Sequence, residues 1–354
     1  MWRVIILVKV YSLLVSHVDC EITALGDPIG PKGPTIIEKP NNVDDDLKVA
    51  TDAINKQKLD PDLVNLIATR TADQRAAIDA AYLKATGNSI PSAVNSFLTH
   101  RDDIPGQYLF RGFFYKLPDY LAYEIRQSLE RGDSTKDWTY MSILCTSSAT
   151  KLKAISDAYK GVNGASLIGD IGSRVEEPGR STFLKMVDPK TMRPDNETNL
   201  AKVDEQFALL PIKEKSCDEV ALEDFLTSAS FAQIKLVVEK YNGKSDCSGK
   251  KLADEFKHSC KKGLKQEIYK RIVRYAAAPY EYLAEEFHWG MLQEHHNTYA
   301  HRYQLIARSE IDLKDIIAAY EGLFRKTPQA EIADEWIKVD YYYNLFLAVL
   351  NGNP

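Results

Sequence analysis

Four groups of residues in this chain have types and spacings that suggest chemistry. His295 and His296 stand side by side after Glu294. Such a set can ligate Zn²⁺ or Cu²⁺, gain charge at about pH 6 beside an acidic membrane, or simply be solvated in a loop. Arg131-Gly132-Asp133-Ser134 spells an integrin-type adhesion tetrapeptide, a pattern short enough to arise by chance. Asn196-Glu197-Thr198 is a glycosylation sequon in a polar stretch, which matters if the chain is secreted. Cys145, Cys217, Cys247 and Cys260 lie beyond the first twenty residues and can pair only in an oxidising compartment. No nucleophile elbow, phosphate-binding Gly-rich loop or HExxH is present, and the carboxylates are spread over helix surfaces, so an enzyme is not expected.

The start of the chain bears on the compartment. Met1 to Arg3 give a short basic opening, and Val4 to Val15 form an apolar run interrupted by Lys9, Tyr11 and Ser12. Val18 and Cys20 fit the small-residue rule for cleavage before Glu21. Residues 1–20 therefore read as a signal peptide, too short to span a membrane, with a buried or frayed N-terminal segment as the competing reading. A secreted or extracellular-surface protein is expected. Hydrophobic residues make up 44% and charged residues 27% of 354, the balance of a globular protein. Net charge is −5, with the positives scattered, so no basic stripe argues for nucleic acid.

The elements that carry these residues repeat. Thr71 precedes Tyr82, Ser148 precedes Tyr159, Ser230 precedes Tyr241 and Ser309 precedes Tyr320, always with the same offset. One helical turn before each Tyr stands Ile78, Ile155, Val237 or Ile316. Each stretch reads as a helix with a hydroxyl N-cap, and Thr71 with Gln74 and Ser230 with Gln233 have capping-box spacing. A pattern returning at intervals of about 80 residues defines a four-unit helical array. Its units run over 43–115, 116–187, 200–275 and 276–354, with a polar linker at 188–199 and a Pro- and Gly-rich flexible tail at 21–42 laid across the folded body. The first unit divides into five short helices. Each is near the length at which an isolated helix is marginal, so stability must come from packing apolar stripes together. Cys145 reads as a buried thiol, and Trp138 and Trp289 as core or groove residues.

Two stretches bring a family with them. Tyr282–Met291 with Leu305–Tyr320 resembles the fourth repeat of an annexin, and Leu63–Gly87 is similar to the matching part of a first repeat. The resemblance covers about Val43 to Gly352. It implies an all-α fold, a slightly curved disc of four annexin-type repeats of five short helices. It also implies that convex-face loops bind calcium and so dock on acidic phospholipid, with lateral self-association on the membrane. The loop has the form Met-Lys-Gly-x-Gly-Thr-Asp/Glu, with a distant acidic residue. Glycines let backbone carbonyls turn inward as hard ligands, and the carboxylate closes a shell of six to eight oxygens.

Every repeat departs from that form. The first loop reads Asn55 to Asp60, with Phe97 where the carboxylate should stand. The fourth reads Met291 to Asn297 and has lost both glycines, although Glu335 falls near its cap. The third offers Lys215 to Glu219 with Ser259 at the cap. The second keeps most: Gly132, Ser134 and Thr135, with Arg174 at the cap and Glu176 and Glu177 just beyond. At most one degraded calcium site is expected, on Gly132, Ser134, Thr135, Glu176 and Glu177.

The resemblance also places Cys217 in the third loop and Cys260 beside its lost cap, two positions that clasp one ion in an ordinary annexin. It thereby implies a Cys217–Cys260 disulfide where the clamp used to be. Free thiols are the alternative; a Cys247–Cys260 pair is opposed by the helix expected over 250–259. The implied function is peripheral binding to acidic membranes with weak or partly lost calcium dependence. The alternative is a calcium-independent extracellular scaffold or adhesion protein that meets a cell-surface partner and keeps only the fold.

Overall fold

A computed structural model describes residues 21–22, 28–98, 104–132, 138–211, 217–242, 248–292, 300–336 and 340–353. Twenty α-helices are found among them, in four successive sets of five. The first set is α1 (Val43–Asn55), α2 (Pro61–Thr69), α3 (Ala72–Thr86), α4 (Ile90–Asn95) and α5 (Ile104–Gly112). The second is α6 (Leu117–Arg131), α7 (Thr139–Cys145), α8 (Ala149–Asn163), α9 (Leu167–Arg174) and α10 (Gly179–Val187). A 3₁₀ turn at Leu200–Lys202 leads into α11 (Val203–Ala208), α12 (Val220–Ser228), α13 (Phe231–Asn242), α14 (Lys250–Ser259) and α15 (Leu264–Ala277). The last set is α16 (Pro279–Met291), α17 (Ala300–Arg308), α18 (Leu313–Phe324), α19 (Pro328–Trp336) and α20 (Asp340–Asn351). Ahead of them, β1 (Glu21–Ile22) and β2 (Pro28–Ile29) form a minimal antiparallel pair.

Local chemistry sets many of the boundaries. Asn42 accepts from the Asp44 amide at the start of α1, and Asp44, Asp45 and Asp46 suit the positive end of its dipole. Pro61, Pro118 and Pro279 occupy first-turn positions, where a missing N–H costs nothing. The third helix of each set carries the recurring residues inward: Ile78, Ile155, Val237 and Ile316 are all buried. Thr71 and Gln74 complete the expected capping box on α3.

Three other expected caps are made differently. Ser230 accepts from the Gln233 amide at 3.0 Å, but the Gln233 carboxamide turns outward to the Asn199 amide at 2.6 Å, so the reciprocal half of the box is given to the linker. Ser148 stands at the N-cap of α8, but its side chain makes no capping hydrogen bond. Asp195 takes that role from the linker, accepting from the Thr150 amide at 3.2 Å. Ser309 does not cap a helix at all. Its hydroxyl bonds back to the Ile306 carbonyl, and α18 begins three residues later than the sequence suggests, after Asp312. The cause is the buried Arg308–Asp312 ion pair, which folds 308–312 into a turn.

Four sets close on one another. α2 packs on α20, α6 on α17, α7 and α10 on α15, and α15 on α16. The Glu310 carboxylate of the fourth set accepts from the Ala72 amide of the first at 2.9 Å and pairs with buried Arg75 at 2.7 Å. The tail is fixed over much of its length. Thr35 and Ile36 both donate to the Ser309 carbonyl at 2.9 Å, and the Lys32 and Gly33 amides donate to Asp315 at 3.1 and 2.7 Å. Gly30 lies so close that a Cβ there would sit 2.0 Å from the Asp315 carboxyl carbon. Ile37 and Asn353 exchange backbone-to-side-chain hydrogen bonds, tying tail to C-terminus. Residues 30–37 are thus a strap over the first and fourth sets, a correction to the flexible tail read from Pro and Gly content.

Candidate functional site

The loops between the first and second helices of each set are the places to ask about calcium. In the first set the loop is closed upon itself. The Lys56, Gln57 and Lys58 amides donate to the Asp52, Ile54 and Ala53 carbonyls, Gln57 takes a left-handed φ of 53°, and Asp60 caps α2 while pairing with Lys56 at 3.3 Å. Those acceptors are last-turn carbonyls of α1, so the loop amides are drawn back onto the helix end, and Phe97 packs against the core.

The second set keeps one favourable element. Gly132 ends α6 with φ 68° and ψ 174°, a backbone available to glycine, and a side chain there would meet no atom within 4 Å. Arg131 is the last residue of that helix, while Asp133, Ser134 and Thr135 lie outside the described residues. The acidic side of the site is already engaged. Glu177 accepts from Arg180 at 3.0 Å and from the Ser181 amide at 3.2 Å, and these contacts hold its carboxyl below the ordinary range. Glu176 is exposed at the same link between α9 and α10. Arg174, at the expected cap, reaches Asp170 at 3.4 Å. Arginines beside the acids oppose a divalent cation by simple charge.

The third set shows the expected replacement. Cys217, just before α12, is joined to Cys260 at the end of α14, with 5.2 Å between Cα atoms. The buried Gln266 amide donates to the Phe256, Lys257 and Cys260 carbonyls at 3.1–3.3 Å and so caps the end of α14. Ser259 donates to the Pro211 carbonyl at 3.0 Å. Cys145 is fully buried, and burial pushes its thiol up to about 12, which makes it a poor nucleophile. In the fourth set His295 and His296 fall outside the described residues, as does the side chain of Glu335. Among the described residues no cluster of three metal-ligating side chains occurs.

A repeated contact next to these loops is not in the sequence reading. Tyr159 of α8 donates to Asp170 of α9 at 2.9 Å, and Arg126 of α6 meets the same carboxylate at 2.5 Å. Tyr320 of α18 donates to Glu331 of α19 at 2.8 Å, with His288 of α16 at 3.5 Å and Lys326 at 3.3 Å. In both sets the carboxylate lies the same eleven residues after the recurring Tyr, a spacing visible in the sequence. Burial raises the Asp170 carboxyl, but bonds from Arg126, Tyr159 and Arg174 outweigh it and hold the group ionised. The Tyr is therefore a positioning residue for the fourth helix, and its carboxylate is not free for a metal. Beside His288, Trp289 is 49% exposed, so it is not a core residue. Trp138 is half-buried beneath Arg271, whose guanidinium carbon lies 5.8 Å from its ring centre.

The linker exposes Asn196, so the sequon is reachable. A cleft of about 470 Å³ lies between it and α12–α13, with Glu197 its carboxylate and Lys202 its amine. Paired acids for general acid–base work are not found there.

An all-α molecule of four five-helix sets, closed into one body, is the class that this geometry defines. Among curated proteins the chain is 27% identical to Annexin A1 of Homo sapiens over 299 residues, covering 82% of each chain. It is 27% identical to Annexin A3 of Mus musculus over 266 residues, 72% of this chain and 76% of that one. Among solved structures it superposes on annexin III with a TM-score of 0.79 at 22% identity, covering 91% of this chain and 98% of the other. Chicken annexin V gives a TM-score of 0.75 at 18% identity, covering 89% and 98%. No family model matches. The chain is thus similar in sequence to annexins and has their all-α fold. Annexins in general bind phospholipid in a calcium-dependent way and associate with membranes peripherally. No helix among the described residues is long and apolar enough to cross a membrane.

Proposed function

We propose that this annexin-like protein binds acidic phospholipid membranes peripherally with a calcium requirement that is weakened and in part lost. The observation that carries this is the state of the loops where the family places calcium. The first loop is drawn back onto the end of α1 through its amides, the third is held by Cys217–Cys260, and Glu177 beyond the second leans on Arg180. The remaining candidate calcium ligands are Gly132, Ser134, Thr135 and Glu176, with Glu177 joining if it leaves Arg180. Such a set offers fewer fixed oxygens than the six to eight that Ca²⁺ takes, so affinity falls. Removal of residues 1–20 would place the protein outside the cell, consistent with a disulfide and an exposed Asn196 sequon.

Co-sedimentation with phosphatidylserine or phosphatidylcholine vesicles, in calcium or in chelator, tests the reading. Binding to the acidic vesicles that gains from calcium and loses that gain in Gly132→Glu supports it. Absence of binding in every condition removes it and leaves a calcium-independent extracellular scaffold, for which the closed loops are the specific support. In that case Arg131, Gly132 and Asp133 become the first adhesion residues to test, by comparing cell attachment of Asp133→Glu with the parent.

A further inference from the structure

Where the third repeat would present acids to calcium, it presents lysines. Lys257, His258, Lys261 and Lys262 are exposed around the end of α14, on either side of Cys260. None of the three lysines forms an ion pair among the described residues. Lys265 completes the group and lies 4.0 Å from Asp218 and 3.6 Å from Glu223. Facing them from the start of α12 are Asp218 and Glu219, and Asp254 stands one turn back on α14. Lys265 is engaged by Asp218 and Glu223, so the positive charge outside ion pairs at the rim is that of Lys257, Lys261 and Lys262, set against Glu219 and Asp254. The patch has an apolar member as well. Val220, three residues from the bridged Cys217, is 64% exposed at the first turn of α12. The disulfide holds Cys217, and with it the start of α12 that carries Val220, against Cys260 among the lysines, while Gln266 fixes the end of α14.

We infer that this surface is a calcium-independent contact for anionic phospholipid, in which lysine ammonium groups take over the bridging charge that calcium supplies in annexins. It rests on the membrane reading above. Ammonium groups attract lipid phosphate and serine carboxylate directly, and each lysine near an anionic leaflet adds a comparable increment of binding. An exposed Val among them favours a bilayer, which can accept an apolar side chain, over a soluble polyanion. The bridge acts as a positioning element: it keeps α14's end against α12 without an ion.

The test is partitioning of the oxidised full chain onto phosphatidylserine-containing vesicles in EGTA. Binding is expected to persist in chelator and to weaken at least about tenfold in Lys257→Glu/Lys261→Glu/Lys262→Glu. The same reversals on a different surface, Lys84→Glu/Lys160→Glu, leave it unchanged. All of these residues are exposed, and circular dichroism checks that the variants fold. Cys217→Ser/Cys260→Ser is expected to weaken chelator-resistant binding while calcium-stimulated binding persists. Binding that appears only with calcium and ignores the triple reversal overturns this inference but keeps the membrane function. Binding in neither condition removes both. Retention on heparin by the lysine patch, with no vesicle binding in EGTA, assigns the patch to a soluble polyanion and likewise overturns the proposal.

Discussion

Arg302 and Glu124, distant in sequence, meet in the interior with one guanidinium nitrogen 3.0 Å from both carboxylate oxygens. Both side chains are almost fully buried, and the guanidinium carbon also lies 5.3 Å from the Tyr108 ring centre. The pair joins α17 of the fourth repeat to α6 of the second, across the middle of the molecule.

Breaking it should be costly. Glu124→Ala leaves an uncompensated buried arginine, and a loss of about 3–5 kcal/mol is expected in urea unfolding. Replacing both partners with apolar residues of similar volume, Glu124→Leu/Arg302→Met, should recover most of that loss, because the desolvation cost disappears with the charges.

The disulfide closes a loop with a sequence separation of 43 residues. In the chain-entropy account such a link contributes about 4 kcal/mol by restricting the unfolded chain. Cys217→Ser/Cys260→Ser should lower the urea midpoint accordingly, and a reductant should do the same to the parent but not to the double variant.

His301 supplies a pH dependence with a definite sign. It is fully buried, and burial, with Arg302 adding repulsion, lowers its pKa from 6.5 to about 3. Between those values the unfolded chain binds a proton that the folded chain refuses, so stability falls as pH falls, by about 1.4 kcal/mol per pH unit. Above pH 6.5 this contribution is constant. His301→Gln should flatten thermal stability over the acidic range relative to the parent.

The strap depends on Asp315, which receives the Lys32 and Gly33 amides. Asp315→Ala leaves those donors without their acceptor and is expected to cost about 1–3 kcal/mol. Limited proteolysis should then cut the chain near residues 30–37 faster than in the parent. Gly30→Val should have the same effect for a steric reason.

Much of the fold was legible in the sequence because the recurring Ile/Val and Tyr positions carry both helix phase and burial. Thr71 with Gln74 was readable as a cap because both partners are local. Ser309 misled because the boundary of α18 is decided by the Arg308–Asp312 pair, which no cap pattern encodes. Gln233 and Ser148 misled for a related reason: the linker residues Asn199 and Asp195 supply what their neighbours would have supplied. In the second loop, Arg180 could have been paired with Glu177 from its spacing of three alone. The link from Tyr159 to Asp170 and from Tyr320 to Glu331 has a fixed spacing, but its meaning needed the third and fourth helices folded together.

The strap, the Glu310 cap on α3 and the packing of α2 against α20 make the last repeat a neighbour of the first. Open repeat arrays behave as one-dimensional chains in which end units fray and melting can spread from either terminus. A ring of four has no end unit. Loss of any one repeat strips partners from two others, so this chain should unfold as a single cooperative block, and half-molecules cut at the linker should not fold alone.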